Sequence, residues 1–155
     1  MSTINPSVIV DIDGTIADPR ARLHYINGEK KDWDLFHAEC SHDKPIQETI
    51  DIVNGLARDN YKIILMTGRG GENRDATIAW LHRNSVRWHL LLMREPDNFE
   101  ADVDLKLRWY HMLADGRISL PYTALPILAF EDRTRMVAAW RDLDLRVYQV
   151  DEGDF

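Results

Sequence analysis

With 155 residues, 45% of them hydrophobic and 29% charged, the chain suits one globular domain with an adequate core. Its formal net charge of −7 argues against a broad surface for coating nucleic acid, so any such contact is expected to be local. A single cysteine, Cys40, excludes an internal disulfide, no apolar run approaches membrane-spanning length, and Met1–Pro6 lacks the basic and apolar regions of a signal peptide. Together these set the expectation of a cytoplasmic protein with no membrane partner.

Val8-Ile-Val10 is a β-branched run of the kind found in buried parallel strands, and it ends at two carboxylates, Asp11 and Asp13, followed by Gly14. In open α/β sheets ligands collect at the carboxyl ends of strands, so this pair is the first candidate site. The connection 17–44 is too long for an ordinary strand-to-helix loop and predicts a binding loop or lid. Asn27-Gly28, between Ala21–Ile26 and Glu29–Trp33, predicts a hairpin, and Trp33–Cys40 a short helix. His37, Cys40 and His42 invite a zinc reading, but no partner cluster completes the usual four ligands.

Pro45 predicts the start of a helix carrying Ile46, Ile50, Val53, Leu56 and Ala57 on one face and ending near Asn60. Lys62–Met66 reads as a second strand, followed by Thr67-Gly-Arg69-Gly-Gly, which lacks the lysine and spacing of a nucleotide P-loop. A helix over 72–84, a third strand over 88–93 and a polar loop over 94–101 follow. Asp102 and Lys106 then stand four apart on one face of a further helix. After a Pro-containing connection come a fourth strand over 127–130, a helix over 133–143 and a last strand over 146–150. Trp80, Trp88, Trp109 and Trp140 read as packing residues rather than base-stacking platforms. Five strands alternating with helices predict a single α/β domain over 1–155, a three-layer sandwich around a five-stranded parallel sheet.

Asp11-Ile-Asp13-Gly-Thr15 resembles motif I of the haloacid dehalogenase (HAD) superfamily of phosphotransferases. The strand ending at Thr67 resembles motif II, Lys106 motif III, and Ile127-Leu-Ala-Phe-Glu131-Asp132 motif IV. Within the superfamily the chain is most similar to the 3'-phosphatase domains of bacteriophage polynucleotide kinase-phosphatases, above all over Asp132–Trp140 and in Gln149-Val-Asp-Glu-Gly-Asp-Phe155. The resemblance implies strand order 5-4-1-2-3, with 17–44 as a flap or small cap insert, and a phosphomonoesterase that removes 3'-phosphate from polynucleotide ends through an aspartyl-phosphate. It implies Asp11 as nucleophile, Asp13 as acid and base, and Thr67 and Lys106 on the transferring phosphoryl group. Mg2+ is the implied cofactor, with Asp11, Asp13, Asp132 and Glu131 as candidate ligands. Glu131 departs from the Asp-Asp of those phosphatases, which favours Asp132 as the direct ligand. Arg22, Arg69 and Asp102 are the implied substrate contacts. A phosphatase of free nucleotides and a non-catalytic HAD-fold binding protein are the competing readings, and a separate kinase is an expected neighbour in the same chemistry. DNA or RNA preference and oligomeric state are left open.

Overall fold

This computed structural model describes residues 3–155, so the signal-peptide expectation at Met1 and Ser2 lies outside the described residues. The elements in chain order are β1 Asn5–Val10, β2 Ala17–Asp18, α1 Trp33–Ala38, β3 Lys44–Pro45, α2 Gln47–Arg58, β4 Lys62–Gly70, α3 Arg74–Arg83, β5 Leu90–Arg94, α4 Asp102–Ala114, β6 Thr123–Glu131, α5 Thr134–Asp142 and β7 Arg146–Gln149. β5, β4, β1, β6 and β7 form one sheet in that spatial order with every pairing parallel. Counted among themselves the five strands run 3-2-1-4-5, the arrangement that the resemblance implied, seen from the other edge.

Strand alternation builds the two halves of the core. Val8 and Val10 of β1, with Ile63 and Leu65 of β4, face Ile50 and Val53 of α2 and Trp80 and Leu81 of α3. Ile9, Ile64 and Met66 point the other way, onto Leu105 and Trp109 of α4 and Met136 and Trp140 of α5. A central strand covered by helices on both faces has no polar side, which is why its sequence reads as an unbroken apolar run. Trp80, Trp109 and Trp140 are all buried, as packing residues should be.

Several boundaries differ from the sequence reading, and four of the differences have a local physical cause. No hairpin forms at Asn27-Gly28: among the described residues none from Pro19 to Asp43 lies in a strand, and a 3-10 helix over Arg20–Tyr25 stands in its place. The second arm is lost because the Asp32 carboxylate accepts the Leu35 N–H at 3.0 Å and caps α1. The loop containing Asn27-Gly28 is instead closed by the Asp32 N–H donating to the Tyr25 carbonyl at 2.8 Å. The insert is pinched at its neck, where β2 pairs antiparallel with β3.

Pro45 lies in β3, two residues ahead of α2. A 3-10 turn over Gly71–Asn73 delays α3 to Arg74. β6 starts earlier than expected and runs through Pro126, where the register with β1 shifts between Ser7 and Val8, a bulge that accommodates a residue with no N–H to donate.

The α5 side of the core gives a stability test. Trp140→Ala should cost about 3–5 kcal/mol in denaturant unfolding, since Trp140 is fully buried. Trp140→Phe should cost much less, because the indole N–H that it removes is buried without a hydrogen-bond partner. Equal losses in the two variants would show that the ring is not what fills this side of the core.

Candidate active site

The carboxyl ends of β1, β4 and β6 bring the polar residues together. The Asp11 N–H donates to the Phe130 carbonyl at 3.1 Å, carrying the sheet ladder up to the first carboxylate. The chain then turns sharply at Gly14, whose φ of +89° suits glycine, and a Cβ built there would lie 2.1 Å from Asp132 Oδ2. That absence of a side chain lets the motif I turn press directly against the motif IV carboxylate.

Lys106 reaches in from the first turns of α4. Its Nζ lies 2.7 Å from Asp11 Oδ1, 3.0 Å from Glu131 Oε2 and 3.4 Å from Asp102 Oδ2. Burial alone would lower the lysine pKa, but Asp102, Asp11 and Glu131 outweigh it and hold the ammonium charged far above neutrality. Asp102 is in turn approached by Arg133 at 3.6 Å and Arg94 at 3.8 Å. Arg94 also donates from Nε to the Gly68 carbonyl at 3.0 Å, tying this corner to the loop after β4.

Asp11, Glu131 and Asp132 each offer an oxygen within 4.8 Å of the others, and all three are buried. Counting Asp102 with them, four carboxylates face the three cations Lys106, Arg94 and Arg133, so the group keeps an excess of one negative charge. Burial, then mutual repulsion, raises the carboxyl pKa of both Asp11 and Asp132 well above the ordinary range. Glu131 has both oxygens engaged: Oε2 takes Lys106, and Oε1 accepts the N–H groups of Asp132 at 3.2 Å and Arg133 at 3.4 Å. Asp132 differs, because its Oδ2 is buried with no hydrogen-bond partner. An orphaned carboxylate oxygen beside an excess of negative charge, with only oxygen donors present, fits a hard divalent cation such as Mg2+.

On the other side of Asp11 lies a second, balanced cluster. Arg69 Nη2 donates to Asp13 Oδ1 at 2.6 Å, and Arg22 Nη2 donates to the same oxygen at 2.5 Å. Arg22 also grips Asp43 through Nε at 2.8 Å and Nη2 at 2.6 Å, and Arg69 Nη2 reaches Asp43 at 3.2 Å. Burial would raise the Asp13 pKa, but the two guanidinium groups reverse this and hold the carboxyl well below its usual range. Thr67 is buried and its Oγ1 accepts the Arg69 N–H at 3.2 Å, so it stabilises the turn that aims Arg69.

A family model for the polynucleotide kinase PNKP phosphatase domain matches residues 5–155. The chain belongs to that family. A curated relative, "Putative bifunctional polynucleotide kinase/RNA ligase" of Autographa californica nuclear polyhedrosis virus, is 28% identical over 141 residues, which are 90% of this chain and 18% of the viral protein. Among solved structures, a chain of a Pnkp1/Rnl/Hen1 complex superposes with TM-score 0.79 at 25% identity, over 100% of this chain and 49% of that one. A class C acid phosphatase from Bacillus anthracis shares the fold, with TM-score 0.67 at 16% identity over 97% of this chain and 68% of its own. This PNKP-type phosphatase domain thus spans under a fifth of the viral relative and about half of the chain in the Pnkp1 complex.

Asp11, Asp13, Arg22, Arg69, Asp102, Lys106, Glu131 and Asp132 all lie in or against these two clusters, and Thr67 lies at the turn that carries Arg69. Arg22 and Arg69, expected to face substrate phosphate, are buried and grip Asp13 and Asp43. Of the zinc candidates, Cys40 is buried while His42 sits on the surface beside Glu39. The sequence reading missed Asp43, since a loop aspartate in His-Asp-Lys-Pro reads as solvated, and only the folding back of the insert buries it. It also missed Arg133, whose side chain adds a counter-charge to Asp102.

Two expectations follow for the PNKP-type domain. Asp43→Ala leaves two buried guanidinium groups sharing one carboxylate, and breaking such a pairing should cost roughly 3–5 kcal/mol of stability. Denaturant titration checks it, and wild-type stability would remove Asp43 from the cluster. The raised pKa values of Asp11 and Asp132 mean that the folded state holds protons that the unfolded chain releases. Their contribution is therefore complete below the ordinary carboxylate range and is lost as pH rises through the raised values. Without divalent cation the thermal midpoint should fall between about pH 5 and pH 9, and Mg2+ should restore it more at the upper end. A gain from Mg2+ no larger at about pH 8 than at about pH 5 would contradict the charge surplus.

Proposed function

We propose that this domain is a Mg2+-dependent phosphomonoesterase that removes 3'-phosphate from polynucleotide ends through an aspartyl-phosphate on Asp11. The observation that carries the reading is the placing of Asp11 between the two charge clusters. One of its oxygens is fixed by Lys106, and Asp13 follows two residues on with its own guanidinium partners. Membership of the PNKP phosphatase family supports the choice of a nucleic-acid end over other phosphomonoesters.

Asp11 attacks phosphorus in line, forming the acyl-phosphate bond as the bond to the 3'-oxygen breaks, and Asp13 gives its proton to that departing oxygen. Water then attacks the same phosphorus and loses a proton to Asp13, the Asp11–phosphate bond breaks, and inorganic phosphate leaves. Lys106 holds Asp11 in the attacking orientation, and its ammonium offsets charge on the transferring oxygens. Asp11, Asp132 and the Asp13 carbonyl would hold Mg2+, which when bound would supply charge neutralisation for that phosphoryl group. Glu131 acts through Lys106 and the motif IV backbone, which its two engaged oxygens favour over direct ligation.

Arg22 and Arg69 bring two positive charges to the side where Asp13 stands. An entering phosphate dianion competes for their donors, and as they shift towards it Asp13 loses the partners that keep it ionised. Binding of substrate thereby prepares Asp13 to carry the proton that the leaving oxygen needs. The viral relative is a putative bifunctional polynucleotide kinase/RNA ligase and the structural neighbour belongs to a Pnkp1/Rnl/Hen1 complex, which supports a setting in which this domain prepares ends for activities carried elsewhere.

Phosphate release from a 3'-phosphorylated oligonucleotide, a 3'-mononucleotide and a 5'-mononucleotide, each with Mg2+, tests the reading. The oligonucleotide should be preferred, and Asp11→Asn should lower turnover roughly a thousandfold or more, since an amide cannot form the acyl phosphate. Equal efficiency on oligonucleotide and mononucleotides would replace it with a nucleotide phosphatase. Undiminished turnover in Asp11→Asn would remove Asp11 as nucleophile.

A further inference from the structure

The stretch Gln149–Phe155 was singled out by its sequence, yet none of the steps above uses it. After β7 the chain does not leave the sheet but folds over motif IV. The Val150 N–H donates to the Glu131 carbonyl at 3.0 Å, and the Gly153 N–H donates to the Asp132 carbonyl at 3.1 Å. The same Asp132 carbonyl accepts from Gln149 Nε2 at 3.0 Å, so the backbone of the motif IV residue is held from two sides.

Gly153 is pressed onto the carboxylate itself. A Cβ built there would lie 1.7 Å from Asp132 Oδ2 and 2.6 Å from its Cγ. No side chain fits unless Asp132 or the strap moves. Two residues on, the Phe155 ring lies under the Arg133 guanidinium, whose Cζ is 4.7 Å from the ring centroid. On the insert side, the Phe36 ring of α1 has its centroid 6.1 Å away. Arg133 is the residue that approaches Asp102, and Phe36 is the residue that supports Arg22, through its carbonyl at 2.8 Å and its ring at 4.1 Å.

We propose that Gly153–Phe155 is a working strap of the active site: Gly153 seats the chain on Asp132, and Phe155 is a positioning residue that holds the insert against the motif IV corner. The geometry gives each part a separate task. Gly153 bears on the carboxylate with the orphaned oxygen, and so on the cation site. Phe155 joins the Arg133 and Asp102 side of the site to the insert that carries Arg22, and so fixes the distance between the two charge clusters. The insert is otherwise held at its other end, by the short β2–β3 neck, by the Arg22 and Asp43 contacts, and by α3, from which Trp80 Nε1 donates to the Asp43 carbonyl at 2.8 Å and Arg83 Nη2 to the Ser41 carbonyl; α1 is the part that Phe155 reaches. An apolar ring packed against both an arginine and a phenylalanine resists movement of α1 without adding a further charge to the site.

The strap bears on the phosphatase chemistry of the site and not on the choice of a polynucleotide substrate, so p-nitrophenyl phosphate is measured beside a 3'-phosphorylated oligonucleotide. Phe155→Ala should lower kcat/KM about tenfold or more on both, and Phe155→Tyr should stay within about threefold of wild type. In Phe155→Ala, amide exchange should quicken in α1 and its 3-10 neighbours while β1 and β4 keep their protection. Wild-type kcat/KM in Phe155→Ala, or exchange that quickens throughout the sheet, would overturn the positioning role. Gly153→Ala should abolish most of the rise in thermal midpoint that Mg2+ gives the wild-type protein, a readout that needs no turnover. A full Mg2+ response in that variant would overturn the seating of Asp132. Loss of oligonucleotide turnover in the wild type, with aryl phosphate turnover intact, would count against the polynucleotide reading and leave the strap to stand or fall on the other measurements.

Discussion

The Lys106 ammonium is the interaction on which the site rests. Fully buried, it would be driven to lose its proton if it stood alone, yet it lies within 3.4 Å of oxygens from Asp11, Asp102 and Glu131, and these keep it charged. The dependence runs both ways, because the same ammonium is what allows Asp11 and Glu131 to stand side by side below the protein surface. The parallel sheet makes the meeting cheap in backbone terms. β1 and β6 are neighbours with their carboxyl ends level, and α4 starts next to them after β5, so three distant sequence segments deliver their charges to one edge.

The two charge clusters on either side of Asp11 are built for different ends. The Asp13, Asp43, Arg22 and Arg69 group is neutral as a whole and fully hydrogen-bonded, the condition in which buried charge is tolerated and rigid. The Asp11, Glu131 and Asp132 group, even counted with Asp102 and with Lys106, Arg94 and Arg133 beside it, keeps an excess of negative charge and leaves one oxygen unpaired. A protein gains nothing in stability from such a surplus. Its presence beside a neutral cluster in the same pocket marks the place where a ligand of opposite charge belongs.

Legibility in the sequence followed the range of the interactions. Asp11 and Asp13 stand out because a strand, two carboxylates and a glycine lie within eight residues, and the core tryptophans stand out because helix period and size suffice to bury them. The five-strand order was available only through resemblance, since a pattern of alternating elements does not tell β6 to pair with β1. The insert was the part least legible. Asn-Gly suggests a hairpin only if apolar alternation continues on both sides, and here the Asp32 cap turns the return segment into α1. Asp43 and Arg133 carry no local signal at all, because what defines them is the charge brought opposite them by a segment far away in the chain. Arg22 was placed at the site, but its burial between Asp13 and Asp43 follows from how the insert folds back, which no spacing expresses.

The double hold on Asp13 bears on how, in the proposed reaction, one carboxylate would serve as acid and then as base. In the resting geometry it is ionised, the wrong state for protonating a leaving oxygen, and that state is maintained by Arg22 and Arg69 rather than by solvent. Guanidinium groups that have a choice between a carboxylate and a phosphate dianion bind the more highly charged partner more strongly. In the proposed reaction each contact made with the phosphate would be withdrawn from Asp13, and the proton affinity of Asp13 would rise as substrate binds. When inorganic phosphate left, the same donors would return and restore the ionised form. Asp43 would make the exchange reversible, because it anchors both arginines while their remaining donors change partner.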